Sequence, residues 1–246
     1  MDAGTRAAVG VLSALVAITP AAESARVSAL AALLSQRAGI HEQRRLEMVE
    51  RQIASRGVTN RRVLDAMQKV PRERFVPPEL SARAYDDSPL PIGLGQTISQ
   101  PYVVAYMTEL LRTEPHHRVL ELGTGSGYQA AILGNLAREV YTIEIVPALA
   151  RRAAAVLKDL GYANVHAREG DGYGGWPEKA PFDRILVTAA PETIPQPLLD
   201  QLTLGGVLVA PVGSATQWIV VVEKTGRGII ERRTIPVQFV PFTRKQ

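Results

Sequence analysis

A carboxylate and three closely spaced glycines lie at the end of a short apolar run near the middle of the chain. Glu121 lies near the end of that run, and Gly123, Gly125 and Gly127 follow at every second position. Glycine is needed where a backbone takes positive φ or approaches a ligand closely. The apolar residues after the turn have helical spacing, so the segment predicts a strand, a tight turn and a helix whose first N–H groups face the turn.

The spacing of these glycines bears on the class of ligand. The dinucleotide fingerprint G-x-G-x-x-G places a pyrophosphate at the start of the helix. Here Gly127 comes one residue early, and Glu121 adds a negative charge two residues before Gly123. An acidic side chain at that place suits a ligand with a cationic group and no phosphate. The alternative is an ordinary glycine turn that binds nothing.

Two further carboxylates follow later apolar runs. In an open parallel sheet, ligands bind beyond the carboxyl ends of the strands. Glu144 follows the glycines by about 20 residues, where a carboxylate binds ribose hydroxyls. Asp171 lies between Gly170 and Gly172 and can face an adenine edge. Taken singly, Glu144 is a surface carboxylate and Asp171 a turn former. Their positions at successive strand ends favour a nucleoside site.

The elements that position these residues alternate between strand and helix from Arg118 onward. Mostly continuous apolar strands predict a parallel sheet that helices cover on both faces, a doubly wound α/β fold. Strands are predicted at 118–122, 139–143, 165–168, 184–187, 206–211, 218–223 and 229–237. Helices are predicted at 128–137, 147–160 and 194–202. The last two strands are joined by a short turn and predict an antiparallel hairpin near the sheet edge.

The part of the chain before this sheet divides at about residue 40. Residues 1–40 predict an N-terminal extension, and residues 41–246 one domain whose first part, 41–112, is helical. Residues 1–25 are either an export signal or part of an alanine-rich helical extension, because the apolar run is short and its leading charge weak. Helical spacing appears at 41–55, and Asn60 is placed to cap a second helix that ends before Pro71.

A segment rich in proline and glycine, residues 86–101, precedes a predicted helix at 101–111. Its apolar residues predict a loop packed onto the domain rather than a free one; they are Leu90, Ile92, Leu94 and Ile98. Ser99 precedes Pro101, and proline is favoured in the first turn of a helix. Ser99 is therefore placed to cap that helix, which is the simplest interpretation of a serine at this position.

Composition excludes several functions. The chain has 246 residues, 46% hydrophobic and 21% charged residues and a formal charge of +4, as expected of a globular protein. It has no cysteine, so disulfides, thiolate metal sites and a cysteine nucleophile are excluded. The four histidines are too scattered for a metal site, and we predict none. The sequence has no dense stripe of Lys and Arg residues interleaved with aromatic residues, so it gives no argument for nucleic-acid binding.

The glycine turn resembles the E-x-G-x-G-x-G signature of class I S-adenosylmethionine methyltransferases, which have a Rossmann-like fold. Longer stretches resemble the protein-L-isoaspartate (D-aspartate) O-methyltransferase family and together span about residues 45–243. They are residues 71–76, 90–101, 107–111, 120–128, 170–172, 187–191 and 233–240. Residues 91–101 are the most diagnostic, because all class I methyltransferases share the glycine turn.

This resemblance implies methyl transfer from S-adenosylmethionine to the free α-carboxylate of L-isoaspartyl residues, and of D-aspartyl residues as a second class, in damaged proteins and peptides. It implies that Ser99 is the catalytic residue. The predicted cofactor contacts are Glu121, Gly123, Gly125, Glu144, Asp171 and Gly172. The predicted substrate contacts are Thr97, Ile98, Ser99 and Ala190. We expect a cytoplasmic monomer without stable membrane association, or a periplasmic protein if residues 1–25 act as an export signal.

The predicted chemistry agrees with the residue types. A carboxylate with a pKa near 4 is already ionised at neutral pH, so the reaction requires alignment and no general base. Two alternatives stay open. One is a class I methyltransferase of nucleic acids or small molecules, although residues 188–191 lack the Asn/Asp-Pro-Pro-aromatic motif of amino-methylating enzymes. The other is a nucleotide-binding module without catalytic activity.

Overall fold

The computed structural model describes residues 20–244. The chain divides into two compact units at the bond between Ile40 and His41. The first helix, α1 (Pro20–Met48), crosses this boundary. The predicted export signal at 1–25 lies largely outside the described residues. Among the described helices, none is both long and apolar enough to cross a bilayer.

Two short strands come first in the second unit, β1 (Leu90–Gly93) and β2 (Gln96–Ile98), and seven further strands form one sheet. In chain order the seven are β3 (Arg118–Leu122), β4 (Glu139–Glu144), β5 (Val165–Glu169), β6 (Phe182–Val187), β7 (Leu202–Val212), β8 (Gln217–Thr225) and β9 (Gly228–Val237). Across the sheet their order is β5-β4-β3-β6-β7-β8-β9. The strands β3 to β7 are parallel, whereas β8 runs antiparallel to both of its neighbours. The predicted fold class, a mostly parallel seven-stranded sheet with a C-terminal antiparallel hairpin, is confirmed.

The prediction of an irregular loop at 86–101 is wrong in part. This segment contains a two-stranded antiparallel hairpin, β1 (Leu90–Gly93) and β2 (Gln96–Ile98). The hairpin turns through three consecutive residues with positive φ, Gly93 (86°), Leu94 (55°) and Gly95 (73°). Leu94 is 62% exposed at the tip, so its predicted burial is also wrong, because the turn directs it away from the core.

Helices cover the sheet and fill the N-terminal part of the second unit. They are α2 (Arg61–Lys69), α3 (Pro101–Leu111), α4 (Tyr128–Gly134), α5 (Pro147–Asp159) and α6 (Gln196–Asp200). Asn60 caps α2 as predicted, since its side chain accepts hydrogen bonds from the N–H groups of Arg62 and Val63 at 3.1 and 3.3 Å. The helix predicted at 41–55 becomes a π-helical turn at Val49–Ile53 and ends in a 3₁₀ turn at Ala54–Arg56.

The predicted bounds of α6 and β7 are wrong. We predicted helix 194–202 and strand 206–211, whereas α6 is only five residues long and β7 already begins at Leu202. Leu202 is buried and pairs with Phe182 of β6, so this apolar residue belongs to the sheet rather than to the helix.

The central strand β3 is buried on both faces. Val119 packs on one side in a cluster that includes Met107 and Leu133, while Leu120 and Leu122 pack on the other. Such burial explains the continuous apolar sequence of this strand. It also fixes the carboxyl end of β3, from which the glycine turn begins.

Candidate active site

A cleft of about 890 Å³ lies beyond the carboxyl ends of β3, β4 and β6. Its walls come from separate parts of the chain: residues 96–99 after the hairpin turn, two side chains of α3, the glycine turn, residues 143–146 after β4, residues 188–189 after β6 and the C-terminal segment 239–243.

The glycine turn has no room for a side chain at its first position. Gly123 has φ of +97°, and a Cβ atom there would lie 2.6 Å from the Thr188 hydroxyl oxygen. That hydroxyl donates to the Gly123 carbonyl oxygen at 2.6 Å, which fixes the turn against the end of β6. Both requirements, positive φ and close approach, therefore apply at Gly123.

Glu144 connects the end of β4 to the glycine turn. One carboxylate oxygen accepts a hydrogen bond from the Gly125 N–H at 2.7 Å, and the other accepts from the Val146 N–H at 2.9 Å. The side chain is only 5% exposed and lines the cleft. Each oxygen keeps a further lone pair, so the carboxylate can still accept hydrogen bonds from ligand hydroxyl groups.

Glu121 lies behind the turn and is completely buried. Neither carboxyl oxygen has a hydrogen-bond partner among the described residues. Burial, together with a smaller effect of the negative charge of Glu144, raises the pKa of Glu121 to about 8. The nearby Thr142 hydroxyl lowers the pKa of Glu121 and so offsets part of this rise. The hydrogen bond that this hydroxyl makes is with the Thr124 hydroxyl, at 2.6 Å, and not with the carboxyl group.

Ser99 lies where the first cleft meets a second one of about 1210 Å³. Both clefts are lined by Thr97, Ser99, Thr188, Phe239 and Val240. The predicted helix cap is wrong: Gln100, and not Ser99, occupies the N-cap of α3, and the Gln100 side chain makes no capping hydrogen bond. Within residues 41–244, the Ser99 hydroxyl makes no hydrogen bond with protein groups, so it is available in the cleft.

The model of the protein-L-isoaspartate (D-aspartate) O-methyltransferase family matches residues 43–246. The chain belongs to this family. A protein-L-isoaspartate O-methyltransferase of Gloeobacter violaceus is 58% identical over 201 residues, which cover 81% of this chain and 98% of that protein.

Solved structures of the methyltransferase family have the same fold. One protein-L-isoaspartate O-methyltransferase matches with a TM-score of 0.72 and 26% identity, over 81% of this chain and 65% of the other. A Plasmodium falciparum protein of the same description, in complex with S-adenosyl-L-homocysteine, matches with a TM-score of 0.71 and 25% identity. That match covers 82% of this chain and 99% of the other.

The structure brings most of the predicted methyltransferase site residues to one place. The predicted residues that line the first cleft are Thr97, Ile98, Ser99, Gly123, Gly125, Glu144 and Gly172. Glu121, Asp171 and Ala190 are not among the lining residues. Seven of the ten predicted site residues therefore share one cleft, whereas the other three lie outside its lining, and the roles of all ten stay predictions.

Asp171 stabilises the local chain beside the cleft. Its carboxylate accepts a hydrogen bond from the Tyr173 N–H at 2.9 Å and caps the short 3₁₀ helix Gly172–Gly174. Its other oxygen lies 3.7 Å from Nε of Arg244. Asp171 therefore stabilises a turn, which was one of its two predicted roles. Its contact with adenine stays a prediction.

Ala190 acts through its backbone. It donates a hydrogen bond to the Val240 carbonyl at 2.8 Å and accepts one from the Phe242 N–H at 2.9 Å. This bridge holds the C-terminal segment over the cleft, so Ala190 shapes the cleft wall without lining it.

Sequence reasoning assigned no site role to Tyr128 or to the segment 239–243, although both line the cleft of this methyltransferase-family site. The segment 239–243 had a signal in the sequence, because the apolar residues 239–242 follow shortly after the last predicted strand. Apolar residues at an exposed chain end commonly pack against another element. Among the described residues, no cluster of three or more His, Cys, Asp or Glu side chains could hold a metal ion.

Proposed function

We propose that the chain transfers the methyl group of S-adenosylmethionine to the free α-carboxylate of L-isoaspartyl residues in damaged proteins and peptides. The observation that carries this proposal is the position of Ser99 at the junction of two clefts. The first cleft has the glycine turn and Glu144 in its wall and takes the cofactor. The second takes the acceptor peptide.

The residues of the first cleft fit this cofactor. Glu144 has free lone pairs that can accept hydrogen bonds from ribose hydroxyls. Because Gly123 has no side chain, its backbone lies directly at the cleft surface. Glu121 is a buried carboxyl group close behind the turn, without a hydrogen-bond partner among the described residues. Its pKa of about 8 keeps it largely neutral at pH 7 in the free protein, and a cationic ligand would favour its ionised form, whereas a phosphate would oppose it. S-Adenosylmethionine, when bound, supplies an electrophilic methyl group on a sulfonium that is a good leaving group.

The chain positions the acceptor and does not have to remove a proton from it. No His or Lys side chain lines either cleft within the described residues, and the carboxylate that does, Glu144, accepts hydrogen bonds from the Gly125 and Val146 N–H groups. An α-carboxylate is ionised at neutral pH and is itself the nucleophile. Ser99 donates its hydroxyl hydrogen to one carboxylate oxygen and orients the other. Catalysis then comes from proximity and from exclusion of water.

The test compares two peptides that differ only in the linkage at one residue, isoaspartyl or aspartyl, with radiolabelled S-adenosylmethionine as donor. We expect methylation of the isoaspartyl peptide and none of the aspartyl peptide. Duplex DNA and structured RNA serve as further acceptors in the same assay. Methylation of nucleic acid alone, or of no acceptor, would contradict the proposal.

We further propose that the enzyme acts as a cytoplasmic monomer on isoaspartyl proteins, with no nucleic-acid partner and no stable membrane association. The alternative location is the periplasm, which requires removal of an export signal within residues 1–25. N-terminal sequencing of the mature protein separates the two locations. A first residue near position 25 would contradict the cytoplasmic one.

A further inference from the structure

Arg72 is a charged residue buried completely beside the candidate site. It begins the short 3₁₀ helix Arg72–Phe75, and its side chain is 0% exposed. Its Nε donates to the Ala84 carbonyl at 2.7 Å, and one terminal nitrogen donates to the Ser99 carbonyl, also at 2.7 Å. The guanidinium carbon lies 4.7 Å from the centre of the Tyr128 ring.

This arrangement is unusual for a residue that serves stability alone. A buried cation is costly unless a carboxylate is paired with it. None of the ion pairs among residues 41–244 includes Arg72, and its second terminal nitrogen has no partner there. Burial accordingly lowers the pKa of Arg72. Its hydrogen bonds go to backbone carbonyls, one of which belongs to Ser99.

Both residues that Arg72 contacts on this side, Ser99 and Tyr128, belong to the candidate site. Ser99 lines both clefts, and Tyr128 lines the first cleft and directly follows Gly127 of the glycine turn. Tyr128 is itself held in place, because its ring packs edge-on against Phe75 at 5.6 Å and its N–H donates to the Ser126 hydroxyl at 3.2 Å. Arg72 therefore contacts both the serine and a fixed ring beside the glycine turn.

We propose that Arg72 is a positioning residue that holds the Ser99 backbone at a fixed distance from the cofactor turn. The planar guanidinium donates to the Ser99 carbonyl while its central carbon lies over the Tyr128 ring, a combination that Lys cannot reproduce. This inference rests on the proposed function, since it assigns Arg72 to the alignment of the acceptor carboxylate by Ser99. A misplacement of about 1 Å at a reacting group costs up to about 100-fold in rate.

The test is Arg72→Lys, with Arg62→Lys as the matched control. Arg62 also donates to two backbone carbonyls, of Thr113 at 2.8 Å and Leu136 at 2.7 Å, but it lines neither cleft. Active sites are first counted by titration with S-adenosylhomocysteine, so that unfolded protein does not enter the rate. The measurements are then kcat and KM for the isoaspartyl peptide and Kd for S-adenosylhomocysteine by calorimetry.

For Arg72→Lys we expect kcat per titrated site to fall about 10-fold or more, with Kd within about twofold of wild type. Arg62→Lys should keep kcat, KM and Kd within about twofold. An unchanged kcat per titrated site at Arg72, an equal loss at Arg62 or a parallel loss of cofactor affinity would each overturn the proposal. If Arg72→Lys binds no ligand at all, Arg72→Gln is measured by the same criteria. An inactive wild-type protein would instead contradict the proposed function.

Discussion

The Ser99 hydroxyl is the side-chain group that the proposed mechanism places on the acceptor. A hydrogen bond to a charged group contributes about 1.5–3 kcal/mol. Ser99→Ala should therefore lower kcat with the isoaspartyl peptide by about 10- to 100-fold. Because the hydroxyl makes no protein hydrogen bond within residues 41–244, cofactor affinity and unfolding stability should change little. Calorimetry with S-adenosylhomocysteine and steady-state kinetics provide the comparison. An equal loss of cofactor binding would show that Ser99 serves the cofactor pocket instead.

The buried carboxyl group of Glu121 makes the free energy of unfolding of the protein depend on pH. Its pKa is raised to about 8 in the folded protein, above the value of about 4.5 expected after unfolding. The folded state therefore binds more protons between these values, and stability from this group is present below about pH 4.5 and is lost as pH rises towards 8. The slope is at most about 1.4 kcal/mol per pH unit.

Glu121→Gln keeps the size of the side chain and removes its titration. In the ligand-free protein, the free energy of unfolding of the variant minus that of wild type should increase from pH 5 to pH 8 by about 1–3 kcal/mol. Urea unfolding at three pH values in this range measures it. A difference for Glu121→Gln that stays constant between pH 5 and pH 8 would contradict the raised pKa.

At the scale of elements, the glycine turn depends on one position more than on the others. Gly123→Ala places a methyl group 2.6 Å from the Thr188 hydroxyl oxygen at φ of +97°. We expect a loss of stability of about 1–3 kcal/mol and a loss of cofactor affinity of at least about 10-fold. Thermal unfolding and calorimetry measure the two effects. Gly226→Ala, where the new methyl group would meet nothing within 4 Å, should change neither. Unchanged cofactor affinity in Gly123→Ala would show that the glycine turn does not contribute to cofactor binding.

Elements whose sequence pattern is local could be predicted, and those fixed by distant contacts could not. The strand β3 and the glycine turn follow from an apolar run and three glycines. The hairpin of β1 and β2 escaped prediction because its strands are only four and three residues long and one contains Pro91. Its turn also puts Leu94 at φ of 55°, a conformation uncommon for non-glycine residues.

The same distinction applies within the candidate site. Glu144 and the glycines were found because each directly follows a predicted strand. The segment 239–243 is held at the cleft by residues distant in sequence, through the bridge between Ala190 and Pro241 and through two hydrogen bonds of the Gln217 side chain with the Phe239 backbone. Arg72 has no local signal either, because its burial depends on carbonyl groups of Ala84 and Ser99. Side chains that act across the fold need coordinates before their role can be argued.

At the scale of the whole molecule, the site belongs entirely to the second compact unit. The first residue that lines either cleft is Arg56, and the family model begins at residue 43. A chain of residues 41–246 should therefore fold and should keep kcat and KM for the isoaspartyl peptide within about twofold of the full chain. Loss of activity in a truncated chain that still unfolds cooperatively would show that residues 1–40 contribute to catalysis.

A shorter chain, residues 57–246, provides the control for this deletion. It keeps every residue of the first cleft but lacks Met48, Val49 and Ile53, which are at most 2% exposed and belong to the core cluster that contains Tyr128. Loss of a large buried side chain costs about 2–5 kcal/mol, so three losses approach the whole stability of a typical domain, about 5–15 kcal/mol. We expect this chain to be largely unfolded by circular dichroism. If it instead folds and binds S-adenosylhomocysteine, residues 41–56 are not required for the core, and the helical segment that they form is dispensable.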